Sequence, residues 1–546
     1  MTLNQERLTL PIMGKQQSWD AAWDVYAMSS YNTITSLSES PLDENILFAG
    51  TDDGRIQYTQ NGGNTWKLIP VNKLPNVPKT AFVNDIKTDL HNVNTVYVAL
   101  DNHKFGDYKP YLLKSTNGGT SWKSITNGIP DNTFVWRLVQ DHVNPNLLFL
   151  ATEYGIYVSV NQGDQWIKFS SGLPTISFRD LAIQKRENDL VAASFGRSFY
   201  VLDDYSALRS FTEASSELPQ LFSPRKALQY EPINGGTSSQ GSSFYNAQNP
   251  DYGAMFTYYL PESHQSKKAQ REKSEQELKK NNKDIPFPGW SALDEEKNES
   301  KATVFLEIRD ADGQFVNKIY GEYTKGFHRV SWNLKKPLRS LINARKDKEP
   351  NYSPEVHVAP GTYSVGLFAS NAGEVKQLSK TQTFEVERIR KNVLQNPFQS
   401  QLQAYTDELE AFVLKTSLMW NKFEKASQKV KAFERSLSYV SQDKGLEDDV
   451  KVLRETMLAL QKQLSGSPSK SEVGEKDEPS LWSRLSVARR SFYGNTYGPT
   501  PMHRESFEMA KIQFGQLLPQ LSQFIDVAVP NLEKRLIEAG IPAFID

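Results

Sequence analysis

Residues 115–122 read STNGGTSW. TQNGGNTW at 59–66 and SVNQGDQW at 159–166 repeat the same formula, Ser/Thr-x-Asn-x-Gly-x-x-Trp. Each position in it has a local task. Asn61, Asn117 and Asn161 can accept backbone N–H groups through the side-chain oxygen and close an Asx-type turn. Gly63, Gly119 and Gly163 allow a positive φ that a residue with a Cβ resists. Thr59, Ser115 and Ser159 can add a hydroxyl to the same turn. Trp66, Trp122 and Trp166 follow the turn and can bury a large ring between strands or blades. A catalytic centre is needed once, whereas a corner is needed in every repeat, so the formula reads as architecture.

Aligned on it, 34–205 resolves into four units. ITSLSESPLDENILFAGTDDGRIQYTQNGGNTWKLI opens the series. VNDIKTDLHNVNTVYVAL with YLLKSTNGGTSWKSI follows after an insertion, then VWRLVQDHVNPNLLFLATEYGIYVSVNQGDQWIKF. The fourth, FRDLAIQKRENDLVAASFGRSFYVLDD, lacks the formula. The spacing of about 43 residues is that of a propeller blade of four short strands. Short apolar runs such as TVYVAL (95–100) and LLFLAT (147–152) read as buried strands, and the formula becomes the hairpin between the last two strands of a blade.

Outside the blades the periodicity changes twice. Between 217 and 390, runs such as ATVFLEIRD (302–310) and GTYSVGLFA (361–369) alternate as strands of a small antiparallel, immunoglobulin-like sandwich. The nearly all-polar segment 262–300 interrupts it and reads as a solvated helix or insertion. From 395 to 546 apolar residues step by three and four: Leu446, Val450, Leu453, Met457, Leu460 and Leu464 form one seam. Phe507, Ala510, Phe514, Leu517, Leu521 and Phe524 form another. This predicts a helical bundle, with Thr500-Pro501 as a helix start and 465–478 as a flexible loop. The expected organisation is therefore a lead-in at 1–33, a partial propeller of about four blades at 34–206, a sandwich at 217–390 and a bundle at 395–546: mainly β, with an all-α C-terminal part.

The formula resembles the BNR or Asp-box repeat of sialidases and sortilin-type receptors, with Asn in the Asp position of all three copies. Together with SPLDENILFAGTDDG, FGRSFYVLDD and APGTYSVGL, the chain is similar over nearly its whole length to the C-terminal half of large bacterial BNR-repeat proteins. These carry the names BNR-repeat glycosyl hydrolase or sortilin N-terminal domain-containing protein. The resemblance implies a box that is a structural turn, further blades upstream, and a periplasmic or extracellular location for a chain that is a fragment of a longer exported protein. The N-terminus shows no signal-peptide pattern.

The chain of 546 residues carries 63 Lys+Arg against 64 Asp+Glu, a balance without a nucleic-acid footprint. It has no Cys, so disulfides and thiolate chemistry are excluded. No apolar run is long enough to span a membrane. Seven His show no ligand spacing, and no metal or cofactor is expected. Glycoside hydrolysis needs two placed carboxyl groups, or a Tyr nucleophile with its Glu plus an Arg clamp. Asp52 and Asp53 in GTDDG follow an inner strand where propeller sites open, and Arg55, Arg137, Arg179 and Arg197 lie in or near the blades. These do not assemble the sialidase set. The expectation is a binding or scaffold protein for a protein, peptide or glycan ligand, with a glycoside hydrolase dependent on further blades as the alternative.

Overall fold

A computed structural model describes residues 11–12, 15–16, 33–170, 172–212, 214–231, 245, 247–263, 266–299, 303–342, 355–371, 374–390, 399–439, 443–492 and 498–541. Most of the lead-in 1–33 and the first residues of the helical part, 395–398, lie outside them. The chain forms two compact units, 1–222 and 223–546.

Among the described residues, the first unit is a partial β-propeller of four antiparallel blades. Blade 1 comprises Ile34–Ser40, Asp43–Thr51, Arg55–Thr59 and Lys67–Pro70. Blade 2 comprises Phe82–Thr88, Val96–Asn102, Asp107–Ser115 and Lys123–Ser124, and blade 3 Val135–Gln140, Leu148–Thr152, Gly155–Ser159 and Ile167–Lys168. Blade 4 has three strands, Phe178–Gln184, Asp189–Ser194 and Phe199–Leu202. No formula turn reverses the chain after its third strand. Asp204 instead takes φ 41° and caps a short 3-10 helix, Tyr205–Arg209.

The blades stack through alternating faces. In blade 3, Leu148, Leu150 and Tyr157 pack toward blade 2, while Phe149, Ala151, Ile156 and Val158 pack toward blade 4. A strand's two-residue period thus supplies both interfaces. Every first strand carries a β-bulge near its start: Thr35, Asn84, Trp136 and Arg179. A bulge re-aims the side chain, and two of these stitch one blade to the next. Thr35 Oγ1 donates to the Val83 carbonyl (2.6 Å) and Asn84 Nδ2 to the Val135 carbonyl (2.7 Å). The residue after each bulge accepts in return: Ser36 Oγ from Ile86 N (2.8 Å) and Asp85 Oδ2 from Leu138 N (3.1 Å).

The second unit combines a β-sandwich with helices. One sheet runs Ala227–Gln229, Gln382–Arg388, Gly361–Asn371, Thr303–Arg309, Phe315–Gly321, with Glu374–Gln377 folded back on Gly361–Asn371. Ala254–Leu260 pairs with Gly326–Trp332 in the facing layer, and Phe256 meets Phe384 and Trp332 meets Tyr363 between the sheets. The polar segment forms two exposed helices, Lys267–Lys280 and Trp290–Asn298, joined by Arg271 to Glu296 (2.7 Å).

The helical part contains Gln399–Ser436, Lys444–Ser465, Leu481–Arg489 and Pro501–Ser522. Both predicted seams are buried. Thr500 caps the helix that begins at Pro501, with His503 returning the bond to the cap backbone. A π stretch, Gln523–Ala528, leads into Val529–Glu538. Pro530 has no N–H for the carbonyl four residues earlier, and the helix widens there. Within 465–478 the chain forms a short helix, Pro468–Glu472, pinned by Asp477, which accepts from Ser467 N and Lys470 Nζ. Among the described residues no helix is long and apolar enough to cross a membrane.

Candidate functional site

The three formula turns repeat one set of bonds. The Asn Oδ1 accepts the backbone N–H four residues on: Thr65 to Asn61 at 3.0 Å, Ser121 to Asn117 at 2.9 Å, Gln165 to Asn161 at 3.0 Å. It also accepts the hydroxyl of Thr59, Ser115 or Ser159. That hydroxyl oxygen accepts the N–H of Gly63, Gly119 or Gly163, whose φ values are 89°, 87° and 91°. The residue before each of these glycines also has positive φ, and in the third copy it is Gln162, not Gly. Its N–H docks on an Asn carbonyl in the blade's first hairpin: Gly62 on Asn45, Gly118 on Asn94, Gln162 on Asn146.

The tryptophans differ in depth. Trp166 is buried among residues of blades 2 and 3. Trp122 is partly buried against blade 1, and Trp66 is only half-buried. The ring wedges against the preceding blade, and the described residues hold no blade before the first. Trp122, which does have a blade before it, is nevertheless only partly buried, so the depth of each ring follows its own packing.

A second recurring element escaped the sequence reading: DLHNVN at 89–94 and DHVNPN at 141–146, with SPLDEN at 40–45 as a variant. Asp89 Oδ1 accepts from His91 N and Asn92 N, and Asp141 Oδ2 from Val143 N and Asn144 N. The spacing Asp-x-x-Asn-x-Asn was the available signal. Both carboxylates anchor other parts of the unit. Asp141 receives Tyr205 Oη (2.7 Å) and a bidentate Arg209 (2.8 Å twice). Burial alone would raise its carboxyl, but these bonds and the Asn144 N–H outweigh that and hold it below its ordinary value.

The opposite end of the blades gathers the groups with exposed chemistry. Its loops bring Asp52 and Asp53 from blade 1, Asp101 and His103 from blade 2, Glu153 and Tyr154 from blade 3, and Phe195 from blade 4. Asp52, Glu153 and Phe195 occupy one position, since their N–H groups bond to the carbonyls of Thr33, Phe134 and Ser177 respectively. Trp136 and Arg179 are aimed into the same end by their bulges. The Arg179 guanidinium lies 3.6 Å from the Trp136 ring centroid and 4.9 Å from that of Phe195. His103 stacks on Phe134 (5.2 Å between centroids), which meets Trp136 edge-on at 5.0 Å. Glu153 Oε2 accepts from Trp136 Nε1 (3.0 Å) and Ser177 Oγ (2.8 Å) and lies 3.8 Å from Arg179.

The carboxylates of this rim are engaged within the chain. Asp52 Oδ1 accepts Thr33 N at 2.8 Å. Asp53 is buried on Thr51 Oγ1 and Arg55 Nε. Asp101 bonds His103 Nδ1. The four arginines do not converge: Arg55 serves Asp53, Arg137 serves Asp85 and Asp180, Arg179 stacks on Trp136, and Arg197 is exposed. Tyr108, Tyr154 and Phe195 stand open to solvent along this end. Among the described residues no group of three or more His, Asp or Glu is placed to hold a metal ion.

No protein-family model matches the chain, and no curated protein is found similar to it. Among solved structures it is similar to the GH74 enzyme of Niastella koreensis at 16% identity and TM-score 0.27, over 32% of this chain and 29% of that one. YCF48 from Cyanidioschyzon merolae matches at 16% identity and TM-score 0.24, over 32% and 54%. The Cps50 (Swd1) β-propeller domain of Myceliophteria thermophila matches at 12% identity and TM-score 0.26, over 33% and 55%. The match with the first of these spans less than a third of that enzyme's length.

Proposed function

We propose that this protein is a BNR-type propeller that binds rather than hydrolyses, presenting the rim of Tyr108, Trp136, Tyr154, Arg179 and Phe195 to an extended peptide or glycan. One observation carries the reading. Asp52, Asp53, Asp101 and Glu153 each accept at least one intrachain hydrogen bond, whereas the exposed groups of the rim are aromatic rings and a stacked guanidinium. Open aromatic faces suit sugar rings and peptide side chains by apolar contact and stacking. Burial lowers the Arg179 guanidinium from its ordinary value, with Glu153 and Asp101 opposing the shift, and the group stays cationic. A periplasmic or extracellular setting belongs with this reading. Glycan and peptide arrays probed with the whole chain test it: ligand capture that disappears when Tyr108, Tyr154 and Phe195 are changed together to Ala supports binding. Release of reducing sugar from a glycan panel, abolished by Asp52→Asn or Asp53→Asn, would replace it with glycoside hydrolysis.

A further inference from the structure

The four blades form an arc with two end faces, and the repeat defines what each should meet. The incoming face of every later blade is covered by its predecessor. Val83, Val135 and Phe178 precede the bulges of blades 2, 3 and 4 and are each 0% exposed. Ile34, at the same position in blade 1, is 47% exposed. Two residues beyond the bulge, Ile86, Leu138 and Leu181 are 0%, 1% and 6% exposed, but Leu37 is 65% exposed. Half-buried Trp66 lies in the same blade.

The outgoing face of blade 4 shows the converse. Pairing places Phe199 opposite Ala193 and Val201 opposite Val191, as Ile156 lies opposite Ala151 and Val158 opposite Phe149 in blade 3. Ile156 and Val158 are 2% and 6% exposed beneath blade 4, whereas Phe199 and Val201 are 71% and 54% exposed. A carboxylate for the polar stitch is also present, although Asp180 Oδ1 now accepts the N–H of Leu181 (2.9 Å) and lies 3.6 Å from Arg137 Nε. Asp180 follows the bulge of blade 4 as Asp85 follows that of blade 2. Asp85 accepts the backbone N–H of Leu138, but the Asp180 side chain is 66% exposed.

These two faces are complementary by the rule that joins blades 1 to 2, 2 to 3 and 3 to 4. We propose that two copies of this chain associate head to tail, blade 4 of each seating on blade 1 of the other. Leu37 and Trp66 of one copy then cover Phe199 and Val201 of its partner, and Asp180 accepts the N–H of Leu37. The arrangement contains the same contact twice about a two-fold axis. Two arcs of the four described blades make eight, inside the roughly four-to-eight range that closes, and both end faces of the described blades are covered.

Sedimentation equilibrium of the whole chain tests this through Leu37→Asp and Val201→Asp, both at surface positions of the single chain. The expected wild-type mass is twice the 61.9 kDa of one chain, and each variant alone falls to one chain mass with an unchanged circular dichroism spectrum. An equimolar mixture of the two variants regains dimer, because it restores one of the two contacts. A wild type that stays at one chain mass across the concentration range, or a dimer that survives both substitutions, overturns the proposal.

Discussion

The indole N–H of Trp166 donates to the carbonyl of Ile125 across 2.7 Å, from blade 3 to the end of blade 2. Ile125 also packs under the turn, so a Cβ on Gly163 would come within 2.7 Å of its Cδ1. The formula therefore joins a corner of one blade to the segment that follows the last strand of the blade before it. Trp166→Ala should cost about 3–5 kcal/mol, the range for truncating a buried aromatic. Trp66→Ala, whose ring is only partly buried, should cost less in the single chain. Urea unfolding of the two variants, with the propeller transition identified by exchange of blade peptides, checks the order.

The turn works without a charge. Asn117→Asp keeps the acceptor for Ser121 N and loses only the Nδ2 donation to Ser121 Oγ. Asn117→Ala removes both, together with the acceptor for Ser115 Oγ, and leaves the Ser121 N–H without that partner. The alanine variant should lose about 1–2 kcal/mol and the aspartate variant under about 1 kcal/mol. Hydrogen exchange at 115–124 reads the difference directly.

Two buried carboxylates impose opposite pH dependences on the propeller unit. Asp141 is held below its ordinary value, so its contribution is complete above the unfolded pKa of about 4 and is lost as pH falls through the lower folded value. Arg209→Gln should move that loss to higher pH. Burial raises Asp85 despite Lys87 and Arg137, so its contribution is complete below about pH 4 and is lost as pH rises through its folded value. Asp85→Asn should remove that second slope. Thermal unfolding at a series of pH values separates the two effects.

In the proposed reading the rim's exposed rings serve recognition and contribute little to folding. Changing Tyr108, Tyr154 and Phe195 together to Ala should abolish capture on the arrays and leave the thermal midpoint nearly unchanged, because surface substitutions stay within about 0.5 kcal/mol each. Trp136→Ala should impair both, since its ring carries Arg179 and its N–H is bonded to Glu153.

The blades, their Asn turns and the helical seams were legible in the sequence because each depends on residues within a few positions of one another. A two-residue or heptad-like period and an Asx turn are local properties. Thus Leu453 and Phe514 were assignable to the core before any packing was known. The Asp-x-x-Asn-x-Asn hairpin carried an equally local signal. Only the tertiary structure decided that His103, Trp136, Glu153 and Arg179 share one end of the blades. Their residue types have no common pattern, and bulges plus stacking of successive blades bring them together. It likewise decided that Trp166 is buried while Trp66 is only partly buried. The two sit in the same formula, and what differs is the packing around each ring: Trp166 lies within the blade 2 and 3 cluster, which the formula alone does not specify.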